Sequence, residues 1–273
     1  MRFWKYHGIG NDFVVIDNRS GKADVSEGFV KRICDRNFGV GADGILYITE
    51  ADNADIGMKV MNADGSEAEM CGNGIRCVAK HAYDLGIVKK ERFDVRTLAG
   101  ILSVRMIPDG LIEVDMGAPV LNCSDIPMNA DGRFIDSEVI ADSIKIKCTA
   151  VSMGNPHLVT FDDLTEDMKK RLGPILESHP LFPKRTNVEF ADVTDGKINV
   201  KVYERGAAWT LACGTGACAT AVAAALKKLI PYGVPVDVEL PGGLLKITVA
   251  EDLSSVTMAG PAELVYEGNI ISK

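Results

Sequence analysis

The chain has 273 residues, 47% of them hydrophobic, and a formal net charge of −8. The acidic balance disfavours a nucleic-acid partner, which would need a basic surface. No apolar run reaches the roughly 18 residues of a membrane span, and the first ten residues lack the apolar core of a signal peptide. We therefore expect a cytoplasmic protein that acts on a small-molecule substrate and binds neither nucleic acid nor membrane.

The first half of the chain alternates strand and helix signals. A turn is indicated at Pro108–Gly110, where proline, aspartate and glycine follow one another. Apolar runs and periodicity predict strands at Phe13–Ile16, Gly44–Ile48 and Ile56–Met61, and helices at Ser26–Cys34 and Cys77–Leu85.

The second half shows the same succession after an entry segment, Ala118–Asp142, which is rich in polar turns. A second glycine-rich turn is indicated at Pro241–Gly243. The patterns predict strands at Leu158–Phe161, Asn187–Phe190 and Ile198–Tyr203, and helices at Leu164–Glu177 and Cys218–Leu229.

The two halves are related by a nearly constant offset. The motif MCGNGIRC contains Cys71 and the motif LACGTGACA contains Cys213, which gives 213 − 71 = 142. Asn11 and Asn155 differ by 144, and Gly100 and Gly243 by 143. Such a repeat indicates two duplicated domains of α/β or α+β class. We predict one domain over residues 1–117 with a C-terminal tail, 262–273, and a second over residues 118–261.

Seven cysteines in a chain without a secretory signal indicate thiols rather than a disulfide framework. Five residues separate Cys71 from Cys77 and four separate Cys213 from Cys218, spacings that do not suit two paired zinc ligands, so no metal is expected. The remaining cysteines are predicted to be small core residues: Cys34, Cys77, Cys123, Cys148 and Cys218.

A cysteine directly before a glycine-rich helix start has a chemical consequence. The unpaired N–H groups and the positive end of the helix dipole stabilise anions, so each thiol should have a pKa below its usual value of about 8.5. A pseudo-twofold arrangement of the domains would bring Cys71 and Cys213 to one cleft. One thiolate could then remove a proton from a carbon while the other thiol protonates its opposite face, which inverts the centre.

These motifs, together with HGIGNDFVVID, GNPH and YERG, resemble the diaminopimelate epimerase family over Gly8 to Gly268. The resemblance implies an α+β fold in which each domain is a curved or barrel-like sheet around a central helix. It also implies an epimerase of lysine and peptidoglycan-precursor biosynthesis that uses no pyridoxal phosphate or other cofactor, and a homodimer, with Tyr266 at a position linked to dimerisation.

The resemblance further implies roles for individual residues. Cys213 would accept and Cys71 donate the proton in the LL-to-meso direction, with His157 and Glu204 assisting. Gly44 occupies a position where some members have a substrate-contacting glutamine, so a side-chain contact there is lost. The implied substrate contacts are Asn11, Asn62, Gly72, Asn73, Asn155, Asn187, Glu204, Arg205, Gly214 and Thr215.

Three other functions share some of these features. Proline racemase-like and hydroxyproline epimerase-like enzymes use two cysteines, but typically have histidine where this chain has Asn73, and need no arginine such as Arg205 for a distal carboxylate. An anion-binding module could use the same helix starts without any need for Cys71. A pyridoxal-phosphate racemase would need a Schiff-base lysine and would absorb visible light.

Overall fold

The computed structural model describes residues 1–271. The chain divides into two compact units, one of Met1–Asp115 with the C-terminal segment from Ala259, and one of Met116–Met258. In the described part of the chain, no helix combines the length and apolar character needed to cross a membrane.

The first unit contains a mixed sheet in the order β18-β1-β2-β3-β4-β6-β7-β8, with β5 paired to β4. Strands β2 and β3 are parallel, as are β4 and β6, and the other neighbours are antiparallel. The elements are β1 (Arg2–Gly8), β2 (Asn11–Asp17), α1 (Glu27–Cys34), β3 (Gly44–Thr49), β4 (Ile56–Asn62), β5 (Glu67–Ala68), α2 (Gly72–Asp84), β6 (Arg92–Thr97), β7 (Gly100–Met106), β8 (Ile112–Asp115) and, at the C-terminus, β18 (Glu263–Asn269).

The second unit repeats this arrangement. Its strand order is β9-β10-β11-β12-β13-β15-β16, with β14 paired to β13. The parallel pairs are β11–β12 and β13–β15, which correspond to β2–β3 and β4–β6 of the first unit. The elements are β9 (Ser137–Ala141), β10 (Ile144–Ser152), β11 (Pro156–Thr160), α3 (Glu166–Glu177), β12 (Asn187–Thr194), β13 (Lys197–Glu204), β14 (Ala208–Thr210), α4 (Gly214–Leu226), β15 (Val236–Leu240) and β16 (Gly243–Val249). Strand β17 (Val256–Gly260) contains the boundary between the two units, which falls after Met258.

Each sheet is wrapped around one helix. Helix α2 packs against β1, β2, β3, β4, β7 and β8, and helix α4 packs against β10, β11, β12, β13, β15 and β16. Eleven of the thirteen residues of α4 are buried, and most of them are alanine or glycine, whose small size lets the strands approach from all sides. The predicted α+β fold of two similar halves is therefore confirmed.

The helices that carry the cysteine motifs begin earlier than predicted. Helix α2 starts at Gly72 rather than Cys77, and α4 starts at Gly214 rather than Cys218. Glycine is a poor helix former, so the sequence pattern placed these residues in a loop. Tertiary packing overrides the propensity, because the first turn of each helix is largely buried and a Cβ on its third residue would lie 2.9 Å from a neighbouring side chain.

The predicted core cysteines are buried. Cys77, Cys123 and Cys218 have no exposed surface, and Cys148 and Cys34 are only 1% and 4% exposed. All seven cysteines of the chain are thiols.

Candidate active site

Cys71 is the N-cap residue of α2. Its backbone is extended, with φ −140° and ψ 116°, and its Sγ accepts a hydrogen bond of 3.3 Å from the N–H of Gly74. A sulfur atom thus takes the place of the serine or aspartate oxygen that usually caps a helix. The cap fixes the half-buried thiol at the positive end of the helix dipole.

Cys213 has the same position in the second unit. It caps α4 with φ −125° and ψ 103°, and its Sγ accepts from the N–H of Gly216 at 3.3 Å. The hydroxyl of Thr215 lies 3.6 Å from the same sulfur. The two motifs therefore build matching thiol caps, each followed by the helix-start amides that the sequence predicted to receive an anionic group.

The glycine three residues after each cysteine lies in close contact with a buried side chain. A Cβ on Gly74 would lie 2.9 Å from Leu46 Cδ2, and a Cβ on Gly216 would lie 2.9 Å from Glu189 Oε1. In both helices the added atom would also lie 3.3 Å from the cysteine Cβ. A side chain there would require the Leu46 or Glu189 side chain to move and would crowd the capping cysteine.

The expected lowering of the thiol pKa is wrong for Cys213. Burial raises the pKa of this thiol well above its ordinary value, and the negative charges of Glu204 and Glu189 raise it further. The hydrogen bonds from Thr215 and Gly216 act in the opposite direction but are weaker. The helix start alone therefore does not set the protonation of Cys213, because two carboxylates lie near it in a dry environment.

Asn11 lies beside Cys71, and both the nitrogen and the oxygen of its side-chain amide are hydrogen-bonded. Its Nδ2 donates to Asp43 Oδ2 at 2.7 Å, and its Oδ1 accepts from Asn73 Nδ2 at 3.1 Å. The Cys71 thiol lies 3.8 Å from the same Oδ1, within reach for an S–H donor. Because Asp43 as a carboxylate can only accept, it forces the oxygen of Asn11 to face the thiol.

Asn73 is in turn oriented by a fully buried arginine. Arg76 donates from Nη2 to Asn73 Oδ1 at 2.9 Å, from Nη1 to the Gly72 carbonyl at 3.0 Å, and from Nε to the Pro261 carbonyl at 3.2 Å. The arginine occupies the space beside Gly8, where a Cβ would lie 3.0 Å from Nη2. Arg76 therefore fixes the first turn of α2 and, through Asn73, the amide of Asn11.

In the second unit, His157 and Asn155 lie on and just before β11. His157 has no exposed surface, and its Nδ1 lies 2.7 Å from Glu189 Oε1. Its Nε2 lies 3.0 Å from Asn155 Oδ1. Burial raises the pKa of Glu189, an effect that the neighbouring His157 opposes. The predicted residue His157 thus belongs to a buried acid–base pair whose second member was not predicted.

The backbone of the segment with Glu204 and Arg205 is held by two buried side chains. Asn187 is buried and uses both ends of its amide, accepting from the Arg205 N–H at 2.9 Å and donating to the Pro156 carbonyl at 2.9 Å. Glu177, also buried, accepts from the Gly206 N–H at 3.1 Å. Thr210 Oγ1 donates to Glu204 Oε1 at 2.5 Å. In this structure Asn187 supports the loop, and the Arg205 side chain is exposed.

Asn62 lies apart from these networks, at the exposed end of β4. Its Nδ2 donates to Ser66 Oγ at 3.0 Å, and its N–H donates to the Ser66 carbonyl at 2.8 Å, which are contacts of a tight turn. Gly44 begins β3, and a Cβ there would lie 2.5 Å from the Met61 carbonyl oxygen. A glutamine at this position would therefore need a different path of the neighbouring strand.

Four residues of these networks were not predicted from the sequence: Asp43, Arg76, Glu177 and Glu189. A usable signal existed for Glu189, since it is the single charged residue in the apolar segment Val188–Ala191 and aligns with Leu46 of GILYI. Arg76 gave no signal, because an arginine one turn into a helix is ordinarily exposed.

The fold of two similar units, each with a sheet around one buried helix, is shared by solved structures. The fold matches a hydroxyproline epimerase from Agrobacterium vitis (TM-score 0.72, 15% identity, 99% of this chain and 90% of the other). It also matches a phenazine biosynthesis protein from Bacillus anthracis (TM-score 0.71, 18% identity, 100% and 99% coverage). At these identities the similarity establishes the fold.

The sequence comparisons are more specific. The family profile described as Diaminopimelate epimerase matches residues 3–122 and 149–265. A diaminopimelate epimerase of Desulforudis audaxviator is 47% identical over 276 residues, and one of Methanococcus maripaludis is 43% identical over 277, with at least 98% of each chain covered. The chain belongs to the diaminopimelate epimerase family and is an isomerase.

Proposed function

We propose that the protein interconverts LL-2,6-diaminopimelate and meso-2,6-diaminopimelate by proton transfer between two thiols, without a cofactor. The observation that carries the proposal is the pair of matching helix caps, in which Cys71 and Cys213 each accept an N–H at 3.3 Å in front of a helix start. Membership of the family supports the choice of substrate.

The reaction needs one thiol on each face of the α-carbon. A thiolate takes the α-proton while the thiol on the opposite face gives its proton to the carbon, so the centre inverts and the charges on the two sulfurs are exchanged. The α-carboxylate gains negative charge as the carbon–hydrogen bond breaks. The amides at the starts of α2 and α4, those of Gly72, Asn73, Gly214 and Thr215, are suited to stabilise that charge.

The two thiols have different surroundings. At Cys213, burial and the charges of Glu204 and Glu189 favour the protonated thiol. The ligand-free protein therefore offers Cys213 as the proton donor, which is the role of this thiol in the meso-to-LL direction. The opposite direction needs a Cys213 thiolate, and a substrate ammonium group next to Glu204 would favour it by offsetting the carboxylate charge.

The second amino-acid end of the substrate accounts for the loop at Glu204 and Arg205. The exposed guanidinium can bind a carboxylate through two parallel hydrogen bonds, and the Glu204 carboxylate can accept from an ammonium group. Asn187 and Glu177 hold the backbone of this loop through the N–H groups of Arg205 and Gly206. An amino acid with a single carboxylate would leave Arg205 unused.

The proposed setting is the cytoplasm, where the reaction supplies lysine and peptidoglycan-precursor biosynthesis. Seven thiols, two of which must remain reduced for turnover, suit a reducing compartment. We further propose a homodimer that associates through β18, where Leu264, Val265 and Tyr266 are each 44–55% exposed. A concentration-independent monomer in sedimentation analysis would contradict the dimer.

The substrate is tested by chiral chromatography after incubation of the reduced protein with LL-diaminopimelate, and separately with L-proline. We expect meso-diaminopimelate to accumulate to a constant ratio and L-proline to remain unchanged. Cys71→Ser and Cys213→Ser should each abolish the conversion, because a serine hydroxyl is a far weaker acid than a thiol and forms almost no alkoxide base at neutral pH. Racemisation of proline alone would reject the substrate, and activity that survives both substitutions would reject the two-thiol reaction.

A further inference from the structure

The two units differ at one pair of equivalent buried positions. In the first unit β2 and β3 pair Phe13 with Gly44, and in the second β11 and β12 pair His157 with Asn187. His157 therefore corresponds to Phe13. Glu189 corresponds to Leu46, since each is the side chain that the third residue of the capped helix, Gly216 or Gly74, approaches. An apolar pair in one unit is replaced by a histidine and a glutamate in the other.

The Glu189–His157 pair is completely buried, with both side chains at 0% exposure. Among residues 1–271, Glu189 Oε2 has no hydrogen-bond partner, so the carboxyl group is anchored by His157 through Oε1 alone. Burying an ionisable glutamate here is costly unless it interacts with a specific group. The structure of the first unit shows that leucine fills the equivalent position, so packing does not require a carboxyl group.

The contact of His157 with Asn155 determines where the protons of the Glu189–His157 pair lie. His157 Nε2 lies 3.0 Å from Asn155 Oδ1, and an amide oxygen can only accept. Nε2 therefore carries a proton. One more proton lies between Nδ1 and Glu189 Oε1, on either atom, and in both cases the pair has no net charge. Burial favours that state over a pair with net negative charge.

The chain of contacts determines which end of Asn155 is presented outward. With Oδ1 occupied by His157, the Nδ2 donors of Asn155 remain directed away from the pair. Asn11, at the equivalent position of the first unit, is held in the reverse sense, because Asp43 accepts from its Nδ2 and leaves Oδ1 facing the Cys71 thiol. Equivalent asparagines thus present a donor in one unit and an acceptor in the other.

We infer that Glu189 is a positioning residue that acts through His157. It holds the Asn155 amide so that the Nδ2 donors face the substrate, whereas Asn11 presents its acceptor oxygen. Asn155 then recognises a carboxylate oxygen of the substrate. Asn11, with its carbonyl oxygen outward, suits a thiol or an ammonium donor. This inference rests on the proposed epimerase function for its substrate, but its protonation pattern is a property of the protein alone.

The first test needs no substrate. We would label the full-length reduced protein with ¹⁵N-histidine and record proton–nitrogen correlation spectra, identifying the His157 signals by their absence in His157→Phe. The expected result is a proton on Nε2 of the folded protein. An unprotonated Nε2 in the wild-type protein would overturn the inference, since Asn155 would then have to present its oxygen outward.

The second test separates positioning from packing with two substitutions. Glu189→Gln can donate from its amide to His157 Nδ1 and keep Nε2 protonated, so we expect a KM for diaminopimelate close to that of the wild type. Glu189→Leu copies the first unit, removes the anchor of the ring and should raise KM on the order of tenfold, with a smaller change in kcat. Equal KM values for the two variants would contradict the inference.

The route through Asn155 is tested by a double-mutant cycle, with Asn11 as the matched control. In an Asn155→Ala background, Glu189→Leu should no longer raise KM. In an Asn11→Ala background its effect should remain. If Glu189→Leu raises KM by the same factor in both backgrounds, Glu189 does not act through Asn155. If diaminopimelate is not turned over at all, the proposed substrate fails while the spectroscopic result still decides the protonation pattern.

Discussion

Asp43 and Asn11 are joined by a hydrogen bond of 2.7 Å, from Nδ2 of the asparagine to Oδ2 of the carboxylate. Because Nδ2 is engaged in this bond, Asn11 presents its oxygen to the Cys71 thiol. Asp43 is itself fixed, because its second oxygen accepts from Arg36 Nη2 at 2.8 Å and Oδ2 also accepts from the Asp12 N–H at 3.1 Å. Asp43, which is two hydrogen bonds away from the Cys71 thiol, therefore determines that the thiol faces the oxygen of Asn11.

Replacing Asp43 with asparagine should weaken this control. The new amide can donate as well as accept, so Asn11 can rotate and present Nδ2 to the thiol. We expect kcat/KM for diaminopimelate to fall on the order of tenfold. Asp17→Asn is a matched control, since Asp17 ends β2, the strand that Asn11 begins, but pairs with Arg19 at the surface. Equal kcat/KM values for the two variants would contradict the role of Asp43.

Arg76→Lys should destabilise the first unit. Lysine cannot reproduce the three hydrogen bonds that the buried guanidinium donates to Gly72, Asn73 and Pro261. The free energy of unfolding should fall by about 3 kcal/mol, measured by denaturant titration. The exposed Arg19→Lys change should cost less than about 0.5 kcal/mol. A stable Arg76→Lys protein would mean that these bonds contribute little.

Cys213 should react slowly with alkylating agents at neutral pH. Burial and the charges of Glu204 and Glu189 raise the pKa of its thiol, so the thiolate forms only in alkaline solution. In a Cys71→Ser background, carboxamidomethylation of Cys213 followed by peptide mass spectrometry should still be accelerating above pH 9. Glu204→Gln should move the rate profile to lower pH, whereas Glu166→Gln on the surface should not. A plateau below pH 8 would be inconsistent with the raised pKa.

His81 should make the fold sensitive to acid. It lies against the Trp4 ring with a centroid distance of 4.4 Å, and neither of its ring nitrogens has a hydrogen-bond partner among the described residues. Burial lowers the pKa of His81 from 6.5 to about 4. The unfolded chain therefore binds a proton first as the pH falls, and folding stability is lost between about pH 6.5 and pH 4, by up to about 3 kcal/mol.

The measurement for His81 is the pH dependence of the unfolding free energy. His81→Leu should remove most of the loss over this window, because the neutral side chain has no proton to gain. His179→Leu, at a partly exposed position, serves as the control and should leave the slope unchanged. A wild-type slope that persists in His81→Leu would assign the acid sensitivity to other groups.

Much of the fold was predictable because the sequence repeats itself. The offset of 142 to 144 residues predicted two similar halves, and the motif cysteines, the strands and the glycine-rich turns followed from local pattern. The helix starts were placed too late. Gly72 and Gly214 are helical because tertiary packing of the first turn outweighs the poor helix propensity of glycine, and that packing has no signature in local propensity.

The candidate site was predictable in part. The cysteines, Asn11, Asn155 and His157 were named from motifs, but the groups that orient them lie far away in the chain: Asp43 is 32 residues from Asn11, and Glu189 is 32 residues from His157. Parallel strand pairing brings both partners into contact, and local patterns contain no information about such pairing. The raised pKa of Cys213 was missed for the same reason, since it depends on Glu204 and Glu189 from two other strands.

Under the proposed function, Cys71 and Cys213 serve opposite faces of the same carbon. The most direct test is to start the reaction with LL-diaminopimelate in heavy water and to measure deuterium separately in substrate and product during the first few per cent of conversion. Two thiols predict a meso product that carries one solvent deuterium at the inverted carbon, while the remaining LL substrate carries almost none. The two-thiol reaction would be contradicted by a meso product that retains the original hydrogen, or by deuterium that enters the LL substrate as fast as the product forms. Either result would show a single base serving both faces.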